Sequence, residues 1–454
     1  MTPLLSVAMT RATTFAIGVL LLYAVALPVH AATITVTNTN DSGSGSLRQA
    51  LTIANDGDTI GFAVTGTISL TSGELVIDKN IIISGPGPGL LTVARSQQAA
   101  DFRIFNIPPS HTAEIDGLTI TGGSLVGNGG GISSGATLTI SNCAISGNSI
   151  LTTDGLQHSG AGIYNVGTMT IVNSTVNNNQ ALIGGFFPPD GGGISNDVGT
   201  LTIQNTTISE NTAAGYGGGV YNVGSLTAIN STIRGNTGSG GGGIFGGATI
   251  IDCTISGNRA TFEGGGIFGG GTISNCTISG NMTTVGHSRG GGISGSGTIT
   301  NSTFSDNLSV NGSSICALGT VQLANTILNS GANIFLLGGT VTSHGYNLSS
   351  DYGSGFLNGP GDQINTDPML GPLQDNGGPT LTHALLPGSP AIDTGDPNFT
   401  PPPTYDQRGN PFVRVFGGRI DIGSFEVQPI PRATPTPRPR STPRPRPLRQ
   451  LHLL

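Results

Sequence analysis

The stretch GTISNCTISGN at residues 271–281 is the most informative part of the sequence, because it is one of seven copies of a single phrase. The other copies are LTISNCAISGN (138–148), MTIVNSTVNNN (169–179), LTIQNTTISEN (201–211), LTAINSTIRGN (226–236), ATIIDCTISGN (248–258) and GTITNSTFSDN (297–307). Their final asparagines recur every 22 to 32 residues, and a glycine-rich turn such as GGGI precedes each phrase. Repeats of this length without helical periodicity predict a solenoid of strands.

Apolar and polar residues alternate within each phrase, so Leu138 and Ile140 are predicted to point inward and Thr139 and Ser141 outward. The pattern predicts an all-β fold, a right-handed parallel β-helix with a buried interior. At roughly 24 residues per coil, residues 63–350 would form about a dozen coils and a rod about 55–60 Å long.

A central column of Asn and Asp is predicted to make a bend, because these residues tolerate the left-handed conformation. Stacked side chains in this column are also expected to form an amide ladder. The column consists of Asn142, Asn173, Asn205, Asn230, Asp252, Asn275 and Asn301.

The open end of a solenoid needs a cover. Residues Ser46 to Gln49 have the form of a helix capping box, and Leu47, Ala50 and Leu51 share one helical face. We therefore predict an N-terminal cap over residues 32–62, with a short amphipathic helix that plugs the first coil.

Residues 1–31 have the pattern of a secretory signal peptide. Arg11 supplies the positive flank, an uncharged run extends from Phe15 to Leu27, and Val29-His30-Ala31 resembles a cleavage site. This pattern predicts a secreted protein with no transmembrane segment after the signal is removed.

The charge is unevenly distributed along the 454 residues. Between the predicted signal and residue 431 there are 10 basic and 24 acidic residues, a net charge of −14, and six arginines follow. An acidic body predicts no nucleic-acid binding, which needs a basic face. Residues 429–454 are rich in Pro and Arg and predict a disordered tail, which is either a cationic tether to negatively charged polymers or an inert linker.

Two sets of motifs resemble known bacterial proteins. The GGGI turns and FSDN at 304–307 resemble the repeats of polymorphic outer-membrane proteins and bacterial β-helix repeat proteins. The C-terminal segment, assigned as a domain over residues 351–428, resembles a choice-of-anchor Q domain through INTDPMLGPLQDNGGPT (364–380), GSPAIDTG (388–395), DQRG (406–409) and DIGSFE (421–426). The resemblance implies an exported, surface-associated protein and no particular reaction.

An enzyme is the alternative class, namely a polysaccharide lyase or glycoside hydrolase acting on acidic polysaccharide. His344, Asn365 to Asp367 and Arg419 echo pieces of the polygalacturonase motifs, but their order is wrong. The repeats also carry few acids for the calcium cluster of a pectate lyase. The sequence therefore predicts no catalytic residue, no metal and no cofactor.

Two further columns have structural interpretations. Cys143, Cys253 and Cys276 share a small inward position, and we expect free buried thiols; no His shares the column for a zinc site. An outward threonine recurs in all seven phrases, as Thr139, Thr170, Thr202, Thr227, Thr249, Thr272 and Thr298. Some β-solenoids bind ice through a flat array of hydroxyl groups, so an ice-binding solenoid is a minor alternative. The structural explanation is that threonine favours strands and pairs well with threonine on the next strand.

The candidate binding surface lies where the loops between phrases vary, because such loops emerge along one edge of a repeat protein. Aromatic rings with polar neighbours suit sugars, whereas the competing interpretation is an aromatic stack that merely covers the turn. The candidate residues are Phe186, Phe187, Tyr216, Tyr221, Phe245, Phe262, Glu263, Phe268 and Arg289. The leading hypothesis is a non-enzymatic surface protein for adhesion or glycan binding, with a polysaccharide or cell-envelope glycan as partner.

Overall fold

The computed structural model describes residues 31–428, and these residues form a stack of parallel strands with very little helix. The predicted signal peptide, except for Ala31, and the Pro/Arg-rich tail lie outside the described residues. One α-helix (Leu47–Ile53) and one 3-10 turn (Gly353–Gly355) accompany the strands in this range. The prediction of an all-β chain is confirmed.

Three parallel sheets form the walls of the solenoid within the described residues. Sheet 1 has 20 strands: Thr33–Val36, Thr59–Phe62, Leu75–Val76, Ile81–Ser84, Phe105–Ile107, Thr112–Asp116, Ile132–Ser134, Thr137–Ser141, Ile163–Asn165, Thr168–Val172, Ile194–Asn196, Thr200–Gln204, Val220–Asn222, Ser225–Ile229, Ile244–Ile251, Ile267–Ser274, Ile293–Thr300, Ile315–Ala324, Ile334–Leu336 and Thr340–Ser343. Sheet 2 has 12: Gly66–Leu70, Leu91–Arg95, Thr119–Thr121, Ala144–Ser146, Thr175–Asn177, Thr207–Ser209, Thr232–Arg234, Thr254–Ser256, Thr277–Ser279, Thr303–Ser305, Ile327–Asn329 and Leu348–Ser349. Sheet 3 has seven: Ser124–Leu125, Ser149–Thr152, Gln180–Ile183, Thr212–Ala213, Thr237–Gly240, Arg259–Glu263 and Met282–Thr283.

The register places like residues above one another in successive coils. Ile250 pairs with Ile273, which in turn pairs with Ile299, and all three are buried. One continuous apolar core runs through the coils. The 12 strands of sheet 2 agree with the predicted dozen coils, and the chain is a right-handed parallel β-helix. Parallel pairing starts earlier than residue 63, because Thr33 already pairs with Thr59.

The N-terminal helix forms as its sequence predicts. The Ser46 hydroxyl accepts a hydrogen bond from the backbone N–H of Gln49, and the Gln49 side chain accepts one from Gly45 N–H. Leu47, Ala50 and Leu51 are buried in the main core. The helix therefore packs its apolar face onto the first coils.

The predicted left-handed bend of the central Asn/Asp column is confirmed. The prediction that the same column forms a continuous amide ladder is wrong. All seven central residues have φ between 49° and 60°, yet only two of their six neighbouring pairs bond through side chains, Asn205 to Asn173 and Asn275 to Asp252. The bend turns side chains such as those of Asn173 and Asn205 toward solvent. Water then competes for their amide groups.

The continuous ladder lies instead at the last asparagine of each phrase. Each side-chain amide donates to the carbonyl oxygen of the next at 2.9–3.0 Å, and each backbone N–H donates to the same oxygen at 3.0–3.1 Å. The members are Asn148, Asn179, Asn211, Asn236, Asn258, Asn281 and Asn307, all at most 2% exposed. These bonds satisfy polar groups that burial would otherwise leave unpaired.

The GGG turns allow consecutive coils to approach closely. Gly191 has φ of +66°, and a Cβ built on Gly192 or Gly193 would lie 2.5–2.6 Å from a backbone oxygen of the next coil. Glycine avoids such contacts at Gly192 and Gly193, so coil packing explains the glycines of this turn.

The cysteine and threonine columns form as predicted. Cys143, Cys253 and Cys276 are buried and free, and the backbone N–H of Cys253 donates to the sulfur of Cys276 at 3.4 Å. Burial raises the pKa of the Cys276 thiol well above its usual range, so the thiol is unreactive. The seven threonines stand in register along sheet 1.

The C-terminal segment folds back along the outside of sheet 2. A short antiparallel pair, Leu370–Gln374 with Thr382–Leu385, carries His383, whose ring bonds to Ser279. The Gln407 amide nitrogen donates to the Thr254 hydroxyl at 2.9 Å, while its oxygen accepts from Thr277 at 2.6 Å. The outward hydroxyls of Thr254 and Thr277 are consequently buried, and this part of sheet 2 is unavailable to a ligand.

The DQRG and DIGSFE motifs supply internal contacts of this segment. Arg408 forms a buried ion pair with Asp406 at 2.6 Å, and its guanidinium lies between the rings of Phe412 and Phe425 at 3.7 and 3.8 Å. The Glu426 backbone N–H donates to Asp406 at 2.8 Å. These motifs therefore have a structural explanation within the chain.

Candidate functional site

Four aromatic side chains meet on the outer surface of sheet 1. Tyr221 and Phe245 stack with centroids 5.0 Å apart and planes within 10°, and Tyr216 lies 4.8 Å from Phe245. Phe268 contacts Phe245 edge-on at 5.4 Å. We call Tyr216, Tyr221, Phe245 and Phe268 the aromatic cluster.

Strand register creates the aromatic cluster. Tyr221, Phe245 and Phe268 each follow the apolar residue of a GGGV or GGGI turn and pair with one another across parallel strands. Tyr216 lies in the loop before the GGGV turn, and its ring packs over Gly240. A Cβ built on Gly240 would lie 3.1 Å from the rings of Tyr216 and Phe268. Tyr216 is 42% exposed, so the cluster presents ring surface to solvent.

The other predicted residues form separate groups. Phe186 and Phe187 make an edge-on pair at 5.3 Å, and Phe186 is 85% exposed. Glu263 forms an ion pair with Arg289 at 2.6 Å in the next coil, and Phe262 beside it is exposed. We predicted that Glu263 and Arg289 contact a ligand. In the structure their charges are paired with each other instead.

An acidic pocket next to the aromatic cluster escaped the sequence-based prediction. Its cavity of about 190 Å³ is lined by Asn128, Gln157, Ser159, Tyr164, Asp190, Asp197 and Tyr221. Tyr221 belongs to both features, so the pocket and the cluster form one continuous surface. Tyr164 occupies the same position after GAGI as Tyr221 after GGGV, and this repetition is the signal that would have revealed it.

The two carboxyl groups of the acidic pocket have different surroundings. Asp190 is 2% exposed and accepts hydrogen bonds from Tyr216 N–H at 2.6 Å and from the Gln157 amide at 2.5 Å. Burial raises the pKa of Asp190 to about 6. The two hydrogen bonds lower the pKa, but their effect is smaller than that of burial. Asp197 is half-buried and accepts the Tyr164 hydroxyl at 3.1 Å. Burial, and then the Asp197 charge, raise the pKa of Tyr164 to about 12.

The fragments that echo polygalacturonase motifs do not come together as a catalytic group. His344 bonds to Gln322, and the Arg419 guanidinium donates to the carbonyls of Thr394 and Gly395. Asp367 accepts the backbone N–H of Met369. Within residues 31–428 no three His, Cys, Asp or Glu side chains are grouped as metal ligands. In the same range, no helix has the length and apolarity needed to cross a membrane.

No family model matches the chain, and no curated protein is significantly similar to it. Among solved structures, the chain resembles a crystal structure of pectate lyase Pel9A with a TM-score of 0.48 and 14% identity, over 87% of this chain and 96% of that one. It also resembles ORF18 of Geobacillus virus E2, with a TM-score of 0.37 and 13% identity over 70% of this chain and 61% of the other. At these scores neither structure indicates a substrate or a reaction for this chain.

Proposed function

We propose that this chain is an exported, cell-surface-associated β-helix protein that binds a polysaccharide through the aromatic cluster. The observation that carries the proposal is the exposed ring surface of Tyr216 over Phe245, next to a pocket of polar side chains. Flat apolar rings bordered by hydrogen-bonding groups match the faces and edges of a sugar. Adhesion to a cell-envelope glycan is the biological role that we propose.

The position of the cluster supports this function. Sheet 2 is covered near the C-terminal half by the returning segment, whereas Tyr216, on a different face of the solenoid, stays 42% exposed. Sugar units that follow one another along a chain could contact successive coils, because the coils are about 4.8 Å apart. A solenoid with in-register rings therefore offers an extended binding face.

Replacing Phe245 with alanine is expected to weaken glycan binding about tenfold or more, because it removes the ring that contacts the other three members. Affinity electrophoresis in gels containing neutral, amino and acidic polysaccharides measures the effect. Phe335→Ala is the matched control, since Phe335 lies in the same column, is 37% exposed and belongs to a distant coil. Equal binding by both variants and the parent protein would contradict the proposed surface.

A polysaccharide hydrolase is the second candidate, and the presence of Asp190 and Asp197 in one pocket favours it. Glycosidases use two carboxyl groups that flank the bond to be cleaved. However, both oxygens of Asp190 are hydrogen-bonded to the walls of the pocket, which favours a positioning role. Assays for new reducing ends and unsaturated products on the same polysaccharides distinguish cleavage from binding.

A further inference from the structure

A second cavity lies where the C-terminal segment passes the ends of the sheet 1 strands, and we call it the C-terminal cleft. Sheet 1 contributes Ser274 and Thr300, which are paired outward residues at the ends of two successive strands. The C-terminal segment contributes the apolar side chains of Phe399, Pro402 and Pro403. The cleft has a volume of about 310 Å³, at the small end of the range for ligand sites, so it can hold one sugar ring.

The C-terminal cleft contains a hydrogen-bond donor that the protein does not use. Asn301 lines the cleft and is only 6% exposed. Its side-chain oxygen accepts hydrogen bonds from the Asn325 amide at 2.9 Å and from the Arg414 guanidinium at 3.4 Å. Its amide nitrogen bonds to no group within residues 31–428 and is not enclosed by protein, so it can donate to a ligand.

A carboxyl group of the same cleft supplies an acceptor. Asp396 is half-buried, and one of its oxygens accepts the backbone N–H of Asn398 at 2.9 Å. The other oxygen has no hydrogen-bond donor among the residues that the structure describes, so it retains acceptor capacity. No Lys or Arg lines the cleft, and the negative charge of Asp396 is therefore not neutralised there.

The pairing of a free donor with a free acceptor selects the chemistry of the ligand. An ammonium group only donates, so it would leave the Asn301 N–H groups without an acceptor. A ligand carboxylate only accepts, and Asp396 would repel it. A hydroxyl group can accept from Asn301 and donate to Asp396, while the ring that carries it packs against Phe399 and the prolines.

A flat strip of sheet 1 connects the C-terminal cleft to the aromatic cluster. Phe268 and Ser274 lie on one strand, six residues and thus about 20 Å apart. Residues 269–272 between them are Gly-Gly-Gly-Thr, and they pair with Gly-Gly-Ala-Thr at 246–249 and Gly-Ser-Gly-Thr at 295–298. Each stretch is partly exposed and carries only small side chains, so a polymer lying across the sheet can contact both sites.

We infer that the C-terminal cleft binds a neutral sugar unit of the same polysaccharide that contacts the aromatic cluster. This inference rests on the proposed glycan binding and specifies the ligand as a neutral polymer that is recognised through its hydroxyl groups. The Asp396 charge makes the cleft discriminate against acidic polysaccharides.

The test is calorimetric titration of the full chain with hexasaccharides of glucose, mannose and galacturonic acid. We expect at least one neutral oligomer to bind about tenfold or more tightly than the galacturonic acid oligomer. Asp396→Asn should weaken the binding of that neutral oligomer about tenfold, because an amide oxygen accepts a hydroxyl less strongly than a carboxylate does. The same substitution should strengthen the binding of the galacturonic acid oligomer, because it removes a like charge.

Asp375→Asn is the matched control for this change. Asp375 also accepts the backbone N–H of the second residue along the chain at 2.9 Å, but it does not line the cleft. Affinities for all three oligomers should therefore stay at the parent values in Asp375→Asn.

The outcomes separate the cleft from the aromatic cluster. Equal affinities in the Asp396→Asn and Asp375→Asn variants, or a similar loss for neutral and acidic oligomers in Asp396→Asn, would overturn the cleft as a neutral-sugar site. If Phe245→Ala still weakens binding in that case, glycan binding at the aromatic cluster stands. The opposite result, a loss in Asp396→Asn with full affinity in Phe245→Ala, would support the cleft and refute the cluster. Absence of binding to all three oligomers would refute both.

Discussion

Replacing Ile273 with aspartate is expected to prevent stable folding, with a loss of about 5 kcal/mol or more in the free energy of unfolding. Ile273 is 4% exposed and lies in register between Ile250 and Ile299. A carboxylate there would be buried against apolar side chains of two neighbouring coils, with no polar partner in its column. Soluble yield and thermal melting followed by circular dichroism report the effect.

The neighbouring threonine supplies the control for this change. Thr272 is exposed on the same strand and pairs with Thr249 and Thr298. Thr272→Ser removes one methyl group from the surface, so the melting temperature should hardly change. A soluble Ile273→Asp protein that melts like the parent would show that the predicted interior does not exist.

Replacing Asn179 with alanine is expected to cost about 3–5 kcal/mol, because the substitution interrupts the buried ladder. The Asn179 amide donates to Ile145 O and to Asn211, and its oxygen accepts from the backbone and side chain of Asn148. All of these groups are buried, so their loss leaves polar atoms without partners. Denaturant unfolding measures the change in free energy.

Asn177 is a matched control two residues away on the same coil. Its side chain points outward from sheet 2 and is half exposed, whereas that of Asn179 is fully buried. Asn177→Ala should change stability by less than about 0.5 kcal/mol. Equal effects of the two substitutions would indicate that the ladder contributes nothing specific.

The repeat made the coil architecture predictable, because period-two alternation and recurring bends constrain each strand in the same way. Ile140, Thr139 and Asn142 therefore lie where the pattern placed them. The ladder was assigned to the central column because sequence alone does not show which Asn faces the interior. Both columns carry the same residue type, and only the chain path distinguishes Asn142 from Asn148.

The candidate site was predictable only in part. Phe245 and Phe268 follow a repeated turn, so their contact could be expected from register. Asp190 reaches Tyr216 through a loop of variable length, and no periodicity specifies that contact. Tyr164 and Asp197 belong to different coils, so the pocket that they line together is apparent only once the coils are stacked.

The contacts of the C-terminal segment with sheet 2 were also not predictable from the sequence. Its contacts with sheet 2, such as Gln407 with Thr277, join residues more than a hundred positions apart. The motifs around Gln407 predict a C-terminal domain over residues 351–428 but not its position, and the contacts place this segment along sheet 2 of the solenoid. Outward hydroxyls of sheet 2 look like ordinary surface positions until that segment covers them.

Hydroxyl-radical footprinting with mass spectrometry shows whether a glycan binds at the aromatic cluster. The protein would be oxidised alone and with a saturating concentration of the tightest-binding glycan from the panel. We predict protection of Tyr216, Phe245 and Phe268 and none of Tyr352, which is 60% exposed in the C-terminal part of the chain. Unchanged oxidation of the cluster, or protection confined to other residues, would show that the glycan does not bind at the aromatic cluster.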